Sequence, residues 1–420
     1  MTEHCSKSIT PDSLTGMIFA MEGMKNTVVL LNGPMGCKFY HSTTSQFLTI
    51  HPNLYLPAAE GGEKVPVDYN YLNHWFFRQP RVPCTWLDGY DYVYGTGQQV
   101  REGLRYLKDH VKFELLVIVN SPGASLIGDN LEEIAGEILP EYPRVILESP
   151  GYSKEYQDGY ETASVELLRQ AAVPLWKGGG AADSGEGKQV KKVNILGLSI
   201  WQRYYEGTRA EMERLFRMCG IEVNCFLCAG SSLEELKKIP EADLNVVLYP
   251  ELGTKGAKFL QEIRQMPCYI SPGLPIGFSS VETMFSRICG ILQTDPGPLL
   301  EECEKARALA WYKINQVYQM CGLPKGTRFF VEGMESEVEG YRRFLTEYLG
   351  MIPASEMEAE LIFGDANTIA SLKTRRTPFC GIEISLPGMG YLDVLEKTHM
   401  GIRGTLFLIE QVLNGLMSKL

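Results

Sequence analysis

The sequence predicts an α/β protein built of three Rossmann-like domains with parallel sheets. Two observations carry that expectation. Aliphatic and β-branched runs alternate with helical stretches along most of the chain, and 420 residues exceed what one ordinary hydrophobic core accommodates.

In the first third of the chain the expected strands are Val28 to Leu31, Tyr92 to Tyr94, Leu115 to Val119 and Val145 to Leu147. The helices between them are Ser13 to Met24, behind an Asp12 or Ser13 cap, then Gln98 to His110 and Leu131 to Leu139, each following a glycine or an Asp-Asn turn. Lys177 to Gln189 breaks every period and reads as an interdomain linker. It superficially resembles a phosphate loop, but the glycine spacing is wrong, Gln189 stands where Ser or Thr would hold magnesium, and no strand leads in. Nucleotide binding is rejected there.

A second α/β unit runs through strand Val193 to Gly197, helix Thr208 to Cys219, strand Ile221 to Cys225, helix Ser232 to Lys238, strand Leu244 to Tyr249, helix Lys255 to Met266 and strand Cys268 to Ile270. After a helical connection from Val281 to Met320, a third has strand Arg328 to Glu332, helix Ser336 to Leu349, a strand near Leu361 to Phe363 and a closing helix Thr405 to Met417. The domain expectation is therefore 1–178, a linker 179–190, a second domain 191–285, a connection 286–324 and a third domain 325–420.

Composition excludes several function classes. A net charge of -11 repels a phosphate backbone, and no basic stripe interleaves with aromatics, so nucleic acid is not expected as a partner. No run of about 18 uncharged apolar residues occurs and the N-terminus lacks the pattern of a secretory signal. A cytoplasmic protein without membrane association is the expectation. The 11 cysteines are odd in number and scattered, which favours reduced thiols or metal ligands over a disulfide framework.

In open parallel sheets ligands sit beyond the carboxyl ends of strands. The turn Gly33 to Cys37, the turn Gly95 to Gly97 and the loop Ser121 to Asp129 all fall there. Gly33-Pro-Met-Gly-Cys37, Cys84 followed by Asp91-Tyr-Val-Tyr-Gly-Thr-Gly-Gln-Gln-Val-Arg-Glu-Gly-Leu104, and Ile127-Gly-Asp-Asn130 resemble, in this order, the first-domain motifs of the nitrogenase component 1 family. That family includes the dark-operative protochlorophyllide and chlorophyllide reductases and the nickel-sirohydrochlorin diamide reductase. Gly220-Ile-Glu-Val-Asn224, Ser231 to Leu236, Leu244 to Val247, Pro275-Ile-Gly277 and Met400-Gly-Ile-Arg-Gly404 resemble its later signatures, so the likeness covers nearly the whole chain.

The resemblance implies that Cys37 and Cys84 ligate an iron-sulfur cluster at a subunit interface, with Gly36 among the turn residues around it. Thiolates suit such clusters, and flanking backbone N–H groups tune their potential. The family's third ligand position holds Pro122 here. Two thiolates per chain are completed by a twofold partner, which points to a 4Fe-4S cluster shared in a homodimer or with a homologous subunit, and away from nitrogenase's eight-iron cluster. The two ligands of nitrogenase's second cofactor fall on Tyr249 and Glu396, so nitrogen fixation is not implied; His399 nearby reads as a cap or a packed side chain.

The implied activity is that of an oxygen-sensitive reductase. A separate ATP-dependent iron-sulfur reductase protein delivers low-potential electrons, and a bound tetrapyrrole or small molecule is reduced. Asp88, Asp91 and His41 are the candidate proton donors, chosen by proximity in sequence. The alternative is a scaffold for assembling a metal cofactor. Cys225 and Cys228 have metal-like spacing without a matching second pair; packing is the favoured reading, a second cluster the alternative. The aromatic segment Leu54 to Phe77 reads equally as a cavity lining, with His74 and Tyr71 as proton donors, or as an interface or core patch.

Overall fold

A computed structural model describes residues 11–38, 82–149, 154–176, 190–375, 378–386 and 395–419. His41, the aromatic segment Leu54 to Phe77 and the glycine-rich stretch Lys177 to Gln189 lie outside the described residues. The chain forms two units, one within 11–181 together with 228–237, the other within 182–227 and 238–420.

The first unit holds a parallel sheet in the order β1-β2-β3, with β1 Thr27–Asn32, β2 Leu115–Asn120 and β3 Arg144–Glu148. Both β1 and β2 are buried along their whole length, which is why they read as continuous apolar runs rather than alternating ones. On one face Val28, Leu30, Leu116 and Ile118 pack against Val100, Leu104 and Leu107 of helix Gly97–His110 and Ile134 of helix Leu131–Ile138.

Helix Ser13–Glu22 is buried in all ten of its residues, as its nearly unbroken apolar composition requires. It crosses helix Tyr156–Leu167 so closely that a Cβ on Gly16 would lie 2.0 Å from the Tyr156 carbonyl oxygen, and one on Gly159 would lie 1.8 Å from that of Ser13. Both glycines are there because two backbones touch.

Tyr92 to Tyr94, expected as a strand, is instead part of a single helical turn, Asp91–Tyr94. The cause is local. Asp88 Oδ1 accepts from the Tyr90 and Asp91 backbone N–H groups at 2.7 and 3.2 Å, while Asp91 Oδ2 accepts from Asp88 N at 2.9 Å. This reciprocal Asp-x-x-Asp cap nucleates a turn, against which three apolar residues carry no decisive period. The other edge of β1 is met by the segment Val82 to Leu87, through Leu31 N to Pro83 O at 2.9 Å and Thr85 N to Leu31 O at 3.0 Å.

The second unit holds two further parallel sheets. One has the order β5-β4-β6-β7, from Lys191–Leu196 (β4), Ile221–Phe226 (β5), Leu244–Val247 (β6) and Cys268–Ile270 (β7). The other has the order β11-β10-β8-β9, from Arg328–Val331 (β8), Ile352–Pro353 (β9), Leu361–Asp365 (β10) and Cys380–Ser385 (β11). The expected single connection is two helices, Phe278–Leu292 and Gly297–Cys321. Gln293 in the left-handed region (φ 58) ends the first, and Asp295 Oδ1, accepting from Gly297 N at 2.8 Å, opens the second. β11 escaped the sequence pattern because Glu383 looks solvent-facing; it is buried and paired with Arg203 at 2.6 Å.

The glycine contact between the two buried helices is testable. Gly159→Ala forces a methyl group onto a carbonyl that has no freedom to move. The expected loss of stability is at or above the upper end of the roughly 1–3 kcal/mol typical of overpacking. Urea unfolding followed by circular dichroism measures it; a wild-type midpoint would contradict the close approach.

Candidate functional site

The candidate site lies at the carboxyl end of β1. After Asn32 the chain turns through Gly33, where a Cβ would stand 2.8 Å from that of Ser121, and enters a single 3-10 turn, Met35–Lys38, that carries Cys37. Cys84 sits beside Leu31 in an isolated parallel bridge, and Leu87 N reaches Gly33 O at 3.4 Å. Both cysteines are half-buried. Among the described residues, nothing lies within 4 Å of where a Cβ on Gly36 would be.

Side-chain hydrogen bonds join these loops. Asn32, fully buried at the last position of β1, donates from Nδ2 to Thr96 Oγ1 at 2.9 Å and to Asn120 Oδ1 at 2.8 Å. Its Oδ1 accepts from Thr85 Oγ1 at 2.9 Å, and Thr85 Oγ1 accepts from Gly33 N at 3.0 Å. Asp129 of the Gly-Asp motif takes both the backbone N–H and the hydroxyl of Thr96, at 2.6 and 2.7 Å. Asn120 donates in turn to both Glu148 carboxylate oxygens at 2.9 Å.

Of the candidate proton donors, Asp88 is exposed and Asp91 is buried. Asp91 is occupied on both oxygens, by Asp88 N and by Gln99 Nε2 at 3.3 Å; Asp88 uses Oδ1 for its cap and none of these bonds falls on Oδ2. Around the same loops Met35, Trp86, Tyr90, Val93, Tyr94 and Leu126 are exposed, Trp86 by 67% and Leu126 by 88%. Among the described residues no three His, Cys, Asp or Glu side chains come together as a ligand set. Cys37 and Cys84 are two thiols on neighbouring loops, fewer than the four that ligate a 4Fe-4S cluster.

The second unit encloses Tyr249 and His399 in one polar array. Tyr341 Oη donates to His399 Nδ1 at 2.7 Å, and His399 Nε2 donates to Gln411 Oε1 at 2.6 Å. Both ring nitrogens are engaged, so His399 is a packed, hydrogen-bonded side chain. Burial first, then the carboxylate of Glu337, pushes the phenols of Tyr249 and Tyr341 well above their ordinary range. Glu337, buried and accepting from Met334 N at 2.9 Å, has its own carboxyl pushed up to about 7 by burial, with Glu251 adding to the effect. Cys228 is fully enclosed, 3.6 Å from Ser164 Oγ, and burial pushes its thiol up to about 12, which suits packing.

The sequence model of nitrogenase component 1 type oxidoreductases matches residues 13–355. The chain belongs to that family. Within it, the chain is 27% identical over 279 residues to a light-independent protochlorophyllide reductase subunit of Synechococcus sp. (strain CC9605), covering 65% of this chain and 52% of the relative. The protein of the same name from Rhodopseudomonas palustris (strain TIE-1) is 26% identical over 277 residues, covering 65% and 49%. The chain therefore spans about half the length of the curated relatives it matches. A solved structure titled nitrogenase Cp1 at pH 6.5 superposes with a TM-score of 0.71 at 14% identity, over 98% of this chain and 92% of that one. At that identity the likeness is one of fold. No helix among the described residues is long and apolar enough to cross a membrane.

Glu337 makes a pH prediction. Its folded-state pKa lies above that of the unfolded chain, so unfolding releases its proton and the fold loses stability as pH rises from the ordinary carboxylate range through about 7. Glu337→Gln removes that loss. Relative to wild type, its melting temperature is expected to rise between about pH 5 and about pH 8; the same difference at both would contradict the assignment.

Proposed function

We propose that this chain is the catalytic component of a nitrogenase-like reductase, in which Cys37 and Cys84 are the protein's thiolate ligands to a 4Fe-4S cluster. The observation that carries the reading is the family match over residues 13–355, with both half-buried cysteines on loops at the carboxyl end of β1 and no group of three or more His, Cys, Asp or Glu among the described residues. Two thiolates leave a four-iron cluster half ligated. A second subunit, in the simplest case a second copy of this chain, supplies the other pair, and the exposed aromatic and aliphatic residues on the same loops give such a partner an apolar surface to cover.

When bound, the cluster supplies one-electron transfer at low potential. Electrons come from a separate ATP-dependent iron-sulfur reductase protein. The substrate is a tetrapyrrole or a small molecule, a reading supported by the names of the protochlorophyllide reductase relatives. The residues of this chain hold the ligand loops, keep water from the strand end and provide protons. Asp88, exposed with one oxygen outside its cap, is the proton donor favoured by position; Asp91 holds the turn that presents it. His41 is retained as a second donor on its sequence position alone.

The test is anaerobic reconstitution with iron and sulfide, followed by absorbance, EPR and sedimentation. Cys37→Ala and Cys84→Ala are each expected to abolish the cluster signal, and the reconstituted wild type is expected to sediment as a dimer. Full cluster content in both variants would overturn the ligand assignment. Electron consumption that depends on the reductase, ATP and a tetrapyrrole separates an enzyme from a scaffold; transfer of the cluster to an apo-enzyme without such consumption would replace the catalytic reading. Asp88→Asn keeps the cap and loses the proton, so it is expected to slow turnover while leaving cluster content unchanged.

A further inference from the structure

The hydrogen bonds around Asn32 have a direction. Gly33 N–H donates to Thr85 Oγ1, so the Thr85 hydroxyl is left to donate to Asn32 Oδ1. Asn32 Nδ2 donates onward to Thr96 Oγ1 and Asn120 Oδ1, and the Thr96 hydroxyl therefore donates to Asp129. The Asn120 amide donates to Glu148. Every proton in the chain is used once, and both branches end on a carboxylate. Such one-way chains polarise each member and cannot be rearranged one bond at a time. Their starting point is the pair Gly33 and Thr85, which flank the two cysteine-bearing segments: Thr85 follows Cys84 directly, and Gly33 opens the turn that leads to Cys37.

We propose that Asn32 and Thr85 are positioning residues for Cys84, fixing its segment against the end of β1 so that its thiol is held in one orientation and any metal it carries is tuned by the polarised chain. The cluster part of this inference rests on the function proposed above; the positioning of the thiol does not. The backbone bonds Leu31 N to Pro83 O and Thr85 N to Leu31 O bring the segment alongside β1. The Thr85 hydroxyl ties it to the strand's last side chain and, through Gly33, to the cysteine turn. A buried donor or acceptor that loses its partner bears the full cost of desolvation, so removing this hydroxyl strands both Asn32 Oδ1 and Gly33 N. Positioning partners of this kind are as consequential for a metal site as the ligands' own chemistry.

Thr85→Val removes the hydroxyl at constant shape, and Thr85→Ser restores it. Asn194→Ala is the matched control, because Asn194 makes the corresponding amide bond to Asn245 at 2.9 Å in the second unit's sheet, and neither cysteine belongs to that unit. On reconstituted protein, Thr85→Val is expected to weaken iron retention against a chelator by roughly ten- to a hundredfold and to shift the cluster's midpoint potential in an EPR-monitored titration. Thr85→Ser is expected to match wild type in both, and Asn194→Ala to lower only the melting temperature. Wild-type retention and potential in Thr85→Val would overturn the proposal. Should wild type take up no iron, the proposed function fails, and the positioning is read instead from metal-free protein by mass-spectrometric alkylation. There Cys84 is expected to react several-fold faster in Thr85→Val than in wild type or Thr85→Ser, and equal rates would overturn it.

Discussion

The amide of Asn32 is the point on which the carboxyl end of the first sheet depends. A polar side chain with no exposure at the end of a buried strand is tolerated only when each of its hydrogen-bonding atoms is used, and here they reach the Cys84 segment, the Gly95 to Gly97 turn and the neighbouring strand at once. Each such buried group left without its partner costs about 1–3 kcal/mol. The loops beyond β1 are therefore not independent of one another. They form one hydrogen-bonded unit, anchored in the rigid sheet below and closed by the carboxylates of Asp129 and Glu148.

This arrangement explains the order of motifs along the chain. The Gly-Pro-Met-Gly-Cys turn, the Thr between two glycines and the Gly-Asp pair are far apart in sequence, yet each supplies one partner to the same set of bonds. Gly33 gives the closest approach to Ser121. Thr96 accepts from the sheet and donates to Asp129. The spacing of the motifs is set by the lengths of the strands and helices that bring their loops to one edge.

Much of the fold is legible in the sequence because a parallel sheet buried on both faces demands uninterrupted aliphatic strands, as in Val28 to Leu31 and Leu115 to Val119. Where sequence reasoning fails, a specific contact outweighs the pattern. Tyr92 to Tyr94 yields to the Asp88 and Asp91 caps, and β11 hides behind a buried ion pair between Arg203 and Glu383 that looks like surface charge in one dimension. Of the site, the two cysteines and their glycine turn can be singled out from residue type and family resemblance. Asn32, Thr85 and Thr96 cannot, since a neutral polar residue acquires its role only when three distant loops converge on it. The one available clue is an asparagine closing an otherwise aliphatic strand. Tyr249 and Glu396 depart from a ligand pattern in the sequence, and the structure adds that His399 spends both ring nitrogens inside the protein, beside phenols that burial keeps protonated.

The first unit is discontinuous. Residues 228–237 return to it after two strands of the second unit have been laid down, and they do so through backbone and side-chain bonds: Lys25 N to Ser231 O at 2.7 Å and Trp176 Nε1 to Leu236 O at 2.9 Å. A chain emerging from the ribosome cannot finish its N-terminal unit before that segment has been synthesised. Its completion joins residues far apart in the chain, as the bond between Lys25 and Ser231 shows, and such long-range contacts raise contact order. Once that segment docks, Cys228 at its start is fully buried.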